Sequence, residues 1–150
     1  MATINVEVKR TIKRPIGVVS RQFGDIAHHA RDRVHPDIAF TLLSESGDEC
    51  RFRQQVKLVG MLQTDEVVQH RNADGSLSWE IVDGANRGMR IYQAFAPAGP
   101  DATTVTFRAE APATGVKRLL APLFKIAIRK AVEKGFEEDR VDLEERGYGA

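Results

Sequence analysis

The chain has 150 residues but only one cysteine, one tryptophan and almost no net charge, with 22 Lys and Arg against 21 Asp and Glu. A single cysteine excludes an internal disulfide framework. A net charge of +1 provides no overall attraction to polyphosphate, so we predict no nucleic-acid partner. No apolar run approaches the ~20 residues that cross a bilayer, because Pro122 and Lys125 interrupt the richest stretch. The N-terminal segment lacks the apolar block of a signal peptide, and we therefore expect a cytoplasmic protein.

Alternation of apolar and polar residues dominates the first two thirds of the chain. Residues 1–13 alternate in this way and predict a strand. Residues 15–34 have helical spacing after Pro15 and predict two short helices, with Asp25 as the cap of the second. Residues 37–111 predict a six-stranded antiparallel meander, because short turn signals separate the alternating segments. We expect its strands at 38–45, 49–58, 61–70, 77–82, 89–96 and 103–110.

The last part of the chain changes to the period of a helix. An apolar stripe at three- and four-residue spacing makes residues 114–147 one long predicted helix. Pro122 either lies just inside the main segment of this helix or kinks an earlier turn at Gly115 to Leu120, and periodicity does not decide between the two. Because the chain shows no repeat and no linker, residues 1–150 are predicted to form a single domain.

Several framework motifs accompany this order of elements: Thr11 to Pro15, His35-Pro36, Leu77 to Gly84, Gly88, Phe95 to Pro97 and Thr104 to Thr106. With them the chain resembles the START-like (SRPBCC) superfamily, which includes Bet v 1-like proteins and bacterial polyketide cyclase/dehydrase-like proteins. The resemblance implies an α+β helix-grip fold, in which a curved seven-stranded antiparallel sheet wraps around the long C-terminal helix and two short helices follow the first strand. It also implies an internal cavity that binds a hydrophobic or amphipathic small molecule, such as a lipid, an isoprenoid or a polyketide-like compound.

The implied cavity lies between the sheet and the C-terminal helix. Its predicted lining consists of inward strand residues and of the apolar helix stripe: Phe52, Gln54, Val56, Leu77, Trp79, Ile81, Ile91, Gln93, Phe95, Phe107, Phe124, Ala127, Ile128 and Ala131. Small residues on the helix, ending with Gly135, either leave space for a ligand or allow close packing of the helix on the sheet.

Two polar side chains interrupt the apolar rows, at Gln54 and Gln93. A buried amide without a partner costs about 1–3 kcal/mol, so each glutamine is either satisfied within the fold, placed at the sheet rim, or available to a ligand. Trp79 shares a face with Leu77 and Ile81, which favours core packing, and its indole N–H then needs an acceptor.

The segment from His28 to His35 carries three of the four histidines. Metal ligation and proton transfer are two chemical roles for imidazoles, but adjacent helical residues point about 100° apart, so His28 and His29 do not face one ion. We predict no metal site and no cofactor, and the segment is typical of a solvated helix face. The resemblance places it near the cavity mouth, where Arg31, Arg33 and His35 are candidates to contact an anionic or oxygen-rich head group.

The sequence contains no recognised nucleophile, zinc or phosphate-binding motif, so a non-catalytic binding or carrier protein is the preferred hypothesis. The alternative is a cyclase, dehydratase or aromatase that uses polar groups in the cavity for general acid/base catalysis. Its candidate residues are Glu66, His70, Arg90 and Tyr92, although strand alternation favours an exposed position for Glu66, Arg90 and Tyr92. A second alternative is a protein-interaction module.

Charge along the C-terminal helix runs against the helix dipole, with bases in the first half and acids in the second. Arg118, Lys125 and Arg129 fall on one face, which suits either simple solvation or transient contact with an anionic membrane surface. Cys50 has no partner in the sequence and is interpreted as a small hydrophobic residue at a strand start.

Overall fold

The computed structural model describes residues 2–58 and 60–149. Met1, Val59 and Ala150, which the predicted segments also covered, lie outside the described residues. The elements are β1 (Ala2–Ile12), α1 (Ile16–Gly24), α2 (Ile26–Arg31), β2 (Ile38–Ser46), β3 (Glu49–Leu58), β4 (Met61–Arg71), β5 (Leu77–Gly84), β6 (Arg90–Pro97), β7 (Thr103–Ala113), α3 (Val116–Leu119) and α4 (Ala121–Arg140), followed by a π-helical segment, Val141–Glu145. The predicted strands are found in the predicted order, and β7 continues a few residues beyond its expected end.

The seven strands form one antiparallel sheet in the order β1-β7-β6-β5-β4-β3-β2. The first strand therefore pairs with the last, and the remaining neighbours follow the chain as a meander. The sheet curves around α4, which packs against β1 and reaches β3. The predicted α+β helix-grip architecture is confirmed.

Alternation along each strand separates an inner face from an outer face, because successive side chains point to opposite sides of a sheet. Phe52 on β3 and Val67 on β4 are fully buried and lie opposite each other, and Ile81 on β5 continues the same row. The residues between them on each strand are exposed or half-buried. The inner face supplies most of the core and one wall of the site described below.

The turn after β5 requires glycine at position 84. Gly84 has a φ of 111°, and a Cβ built on it would lie 2.2 Å from the backbone oxygen of Thr64. The close approach places Asn86 beside β4, where its side-chain amide donates to Asp65 at 2.7 Å and to Gln63 at 2.6 Å. This network holds Asn86 at the cavity wall.

The C-terminal region consists of two helices and a π-helical segment in place of one continuous helix. Pro122 lies in the first turn of α4, where its missing N–H leaves no helical bond unmade, and α3 is a separate short helix before it. Of the two alternatives that the sequence left open, Pro122 therefore lies just inside the main helical segment. Among the described residues, no helix is both long and apolar enough to cross a membrane.

Candidate functional site

A cavity of about 160 Å³ lies between the inner face of the sheet and α4. Its wall is mainly apolar and includes Phe23 of α1 and Ile26 and His29 of α2. Nine residues of the predicted lining border it: Gln54, Val56, Trp79, Ile81, Ile91, Gln93, Phe107, Ile128 and Ala131. Alternation in the strands and the three-residue spacing of Ile128 and Ala131 in the helix bring these side chains to one space.

Five residues of the predicted lining lie elsewhere in the structure. Phe52 and Leu77 are fully buried in the core, where neighbouring side chains cover them. Phe95 packs edge-on against Phe23, which borders the cavity instead. Phe124 and Ala127 do not border the cavity. The spacing of apolar residues in the sequence does not by itself distinguish a residue that faces a cavity from one that faces the surrounding core.

The two inward glutamines and the tryptophan have different environments. Gln93 is buried at the cavity wall, and its Oε1 has no hydrogen-bond partner among the described residues. Gln54 also borders the cavity. The indole N–H of Trp79 donates to Oε1 of Gln69 at 2.7 Å, so its acceptor is a protein group. Gln93 therefore carries the unsatisfied acceptor of this wall.

The three histidines of the histidine-rich segment are buried, so the interpretation of a solvated helix face is wrong for them, although Arg31, Asp32 and Arg33 between them are exposed. His28, His29 and His35 are 7%, 5% and 7% exposed because the C-terminal part of α4 and the following π-helical segment cover them. Their partners are carboxylates: Asp142 for His28, Asp139 for His29, and both Asp139 and Glu138 for His35. Of the three histidines, His29 and His35 border the cavity, together with Asp139.

The cluster of His29, His35 and Asp139 centres on one carboxylate oxygen. Nε2 of His29 lies 3.1 Å from Oδ1 of Asp139, and Nε2 of His35 lies 3.3 Å from the same oxygen. The side-chain amide of Gln22 donates to this oxygen as well, at 3.0 Å. The imidazole rings of His29 and His35 are stacked, with centroids 5.3 Å apart.

Electrostatics in this cluster favour the ionised carboxylate. Burial by itself disfavours the charged form of His35, but Asp139 and Glu138 outweigh it and raise the pKa of His35 to about 9. Burial also acts against the charged form of Asp139, but His35 and His29 hold the pKa of this carboxyl well below its ordinary value. An anionic oxygen is thus maintained at the wall of an apolar cavity.

His28 belongs to a separate pair, as the divergence of adjacent helical side chains required. Its Nε2 lies 2.8 Å from Oδ2 of Asp142 and its Nδ1 lies 2.8 Å from Oδ2 of Asp32. Gln22 connects the two clusters, because its amide also donates to Asp142 at 2.9 Å. His28 and Asp142 are not among the residues that border the cavity.

The four side chains suggested for catalysis lie on the outer face of the sheet. Glu66 forms an ion pair with Arg51 at 3.2 Å, and His70 and Arg90 are exposed. Tyr92 is half-buried, and the guanidinium of Arg108 lies 5.0 Å from its ring centroid. Strand alternation predicted outward positions for Glu66, Arg90 and Tyr92, and the structure has them there. None of the four residues borders the cavity.

Two of the three suggested mouth residues are not among the residues that border the cavity. Arg31 is exposed and pairs with Asp32 at 3.1 Å. Arg33 is exposed and has a φ of 49°, in the left-handed region. His35 alone of the three borders the cavity.

Asp139 was not among the predicted site residues, although the sequence contains a signal for it. It continues the inward stripe of α4 four residues after Gly135, on a face where Ile128 and Ala131 border the same cavity. An acidic residue in an apolar stripe is expected to have a partner, because an isolated buried charge is costly.

Comparison with known proteins identifies matches over most of the chain. The family model described as "Polyketide cyclase / dehydrase and lipid transport" matches residues 3–142. A protein of Thermus thermophilus has a TM-score of 0.80 at 16% identity, covering 91% of this chain and 94% of that one. The Zhui aromatase/cyclase from a Streptomyces species has a TM-score of 0.79 at 13% identity, covering 97% and 99%. A START superfamily protein from Mycobacterium smegmatis has a TM-score of 0.79 at 14% identity, covering 95% and 98%. No curated protein matches the sequence significantly.

Proposed function

Because the chain belongs to the polyketide cyclase/dehydrase and lipid transport family, we propose that it binds a small hydrophobic or amphipathic molecule in the cavity between the sheet and α4. Aromatase/cyclases and START proteins share the fold, and both kinds of relative are compatible with such a cavity. A cytoplasmic location is part of this proposal, and the single, unpaired cysteine supports it because a reducing compartment suits a free thiol.

The observation that carries the proposal is the unpaired oxygen of Gln93. A buried acceptor without a partner costs about 1–3 kcal/mol, and this one belongs to a side chain that borders a cavity whose wall is otherwise mainly apolar. A ligand with one hydrogen-bond donor on an apolar body would satisfy this acceptor and fill the space. Few precisely placed polar groups in an apolar lining are typical of small-molecule sites.

The volume restricts the ligand. Pockets for drug-sized molecules measure roughly 300–1,000 Å³, and this cavity measures about 160 Å³. An apolar cavity of about 150 Å³ in another protein holds one benzene molecule. The buried part of the ligand is therefore a single ring or a branched group of similar size, such as one isoprenoid unit.

Trp79 provides a direct test, because it is the only tryptophan and borders the cavity. Freshly purified protein is analysed by native mass spectrometry and then titrated with single-ring phenols and a short isoprenoid alcohol while tryptophan emission is recorded. We expect saturable, one-to-one changes that weaken in Ile91→Phe, which fills part of the cavity and leaves Trp79 as the only tryptophan. Absence of both a co-purified ligand and any saturable response would contradict the proposal.

A second candidate function is catalysis within the cavity, and one observation favours it. Cyclase or dehydratase chemistry requires titratable groups at the ligand, and His29, His35 and Asp139 border the cavity. These residues replace the outward set of Glu66, His70, Arg90 and Tyr92 as candidates.

A small cavity and exposed apolar residues are expected of a protein-interaction module, and the described residues include both. Val116, Leu119, Leu123 and Ile126 on α3 and the start of α4 are 69%, 82%, 51% and 54% exposed. The sequence between residues 114 and 132 has bases but no acidic residue. This charge complements an anionic surface, and we propose that the stripe contacts anionic lipid.

The basic residues suggested for that contact are accessible. Arg118 and Lys125 are exposed. Arg129 is also exposed, and one of its N–H groups donates to the backbone oxygen of Glu7 at 3.2 Å. Each base near an anionic bilayer contributes about 1 kcal/mol of attraction, so a few of them with an apolar stripe suffice for reversible binding.

A further inference from the structure

Three side chains with metal-ligating atoms converge at one wall of the cavity. Nε2 of His29 and Nε2 of His35 lie 3.1 Å and 3.3 Å from Oδ1 of Asp139, and the three groups place a ligand atom within 4.8 Å of one another. Two ligand atoms that each lie about 2.1 Å from one ion at a tetrahedral angle are about 3.4 Å apart. The spacing in the cluster therefore suits a shared ion.

The hydrogen bonds of His29 require a cation at this position. Its Nδ1 lies 2.8 Å from the backbone oxygen of Asp25, and because a carbonyl only accepts, Nδ1 carries the proton. In the neutral ring, Nε2 then directs a lone pair at the carboxylate of Asp139. Two lone pairs at 3.1 Å repel each other, so a proton or a metal ion must lie between them.

Both histidines of the cluster are also held through their other ring nitrogen, and the Asp139 oxygen that faces them accepts a further hydrogen bond. Nδ1 of His35 lies 2.9 Å from Oε1 of Glu138, Nδ1 of His29 is held by the Asp25 carbonyl, and Gln22 donates to Asp139. Metal-ligating histidines almost always direct their other nitrogen at a carbonyl or carboxylate, and ligating carboxylates are themselves hydrogen-bonded. A merely structural ion pair does not require this arrangement on both histidines.

We propose that His29, His35 and Asp139 bind one first-row divalent metal ion, Zn²⁺ or Fe²⁺, with an open position toward the cavity. Two histidines and one carboxylate with open positions form a common set of ligands for these ions. All three residues border the cavity, and Gly135 leaves space above His35. An oxygen atom of the cavity ligand would take the open position, where the ion acts as a Lewis acid; only this last step rests on the proposed function.

Co²⁺ is a suitable probe, because its absorption spectrum reports coordination by nitrogen and oxygen. Chelator-stripped protein is titrated with Co²⁺ and the complex is then displaced with Zn²⁺. We expect one ion per chain, and at least about a 100-fold loss of affinity in Asp139→Asn and His29→Gln. Asp142→Asn is the matched control, because Asp142 is equally buried and bonded to Gln22 but lies outside the cluster, and it retains wild-type affinity.

A second variant covers the case in which substitutions of the ligands unfold the chain. Glu138→Gln leaves all three ligands in place and changes only the partner of His35, and loss of such a partner costs roughly 10–100-fold in metal affinity. If wild-type protein binds Co²⁺ and Zn²⁺ no more tightly than Asp139→Asn or Glu138→Gln, the proposal is wrong, and ring-nitrogen NMR would show a proton on both nitrogens of His29. Since no organic ligand is present, that result leaves the cavity proposal intact.

Discussion

Gly135 lies over the ring of His35: a Cβ built on Gly135 would have Cε1 of His35, at 3.8 Å, as its only described neighbour within 4 Å. This is an ordinary van der Waals distance, so no close approach of backbone to sheet requires glycine here. Glycine in a helix costs about 1 kcal/mol relative to alanine. Of the two explanations that the sequence left open, the structure supports space beside the cavity wall.

Gly135→Ala is therefore expected to separate stability from binding. The free energy of unfolding should rise by roughly 0.5–1 kcal/mol because alanine favours the helix, while affinity for the single-ring compounds falls because the methyl group occupies part of the cavity. Urea denaturation and tryptophan emission measure the two quantities. Gly17→Ala is the control, since Gly17 is helical, has no neighbour within 4 Å and is remote from the cavity; it should stabilise without changing affinity.

Gln93→Met should stabilise the ligand-free protein by about 1–3 kcal/mol, because it removes a buried acceptor without a partner. It should also lower the affinity for phenols more than the affinity for hydrocarbons of the same size, since only phenols donate a hydrogen bond to this oxygen. Gln69→Met is the comparison: it takes an acceptor from Trp79 and a donor from the backbone oxygen of Gly24, and should destabilise. Equal destabilisation by both variants would show that Gln93 has a structural partner.

Cys50 is expected to react slowly. It packs beside Phe52, and burial together with the nearby carboxylates of Glu45 and Glu49 raises the pKa of its thiol to about 11. At pH 8 the thiolate fraction is then about 100-fold smaller than for a thiol with the ordinary pKa of 9.0. Alkylation by iodoacetamide, followed by mass spectrometry in the absence and presence of urea, measures this ratio. Equal rates would mean that the thiol is neither buried nor influenced by the carboxylates.

Binding to anionic vesicles should depend on the exposed stripe of α3 and α4. Leu119→Glu and Leu123→Glu should abolish co-sedimentation with vesicles that contain phosphatidylglycerol, because each removes apolar contact and adds repulsion. The pair Arg118→Gln and Lys125→Gln should weaken binding roughly 30-fold, at about 1 kcal/mol per base.

Two controls for vesicle binding vary the lipid composition and the position of the substituted leucine separately. Vesicles of phosphatidylcholine alone should bind little wild-type protein. Leu43→Glu changes an exposed leucine on β2 and should have no effect. If Leu43→Glu and Leu119→Glu behave alike, or if wild-type protein ignores anionic vesicles, the stripe serves another partner.

Local pattern was sufficient for the elements and for the faces of the strands. Alternation placed Gln93 inward and Arg90 outward, and the structure agrees, because side-chain direction in a strand is fixed by the backbone. The stripe of α4 was equally local, although the break between α3 and α4 depends on how Pro122 is accommodated. These properties follow from interactions within a few residues.

Pattern in the sequence determined the order of the elements and the inward rows, and the family resemblance implied the helix-grip architecture. Only the tertiary structure decided which polar groups meet at the cavity. His29 and Asp139 are 110 positions apart, and their contact depends on where α4 crosses the sheet and on α2 lying under its end. The crossing is set by packing over the whole core, which no local period encodes. For the same reason, His29 and His35, which the sequence predicted on a solvated face, are buried and contact the same carboxylate oxygen of Asp139.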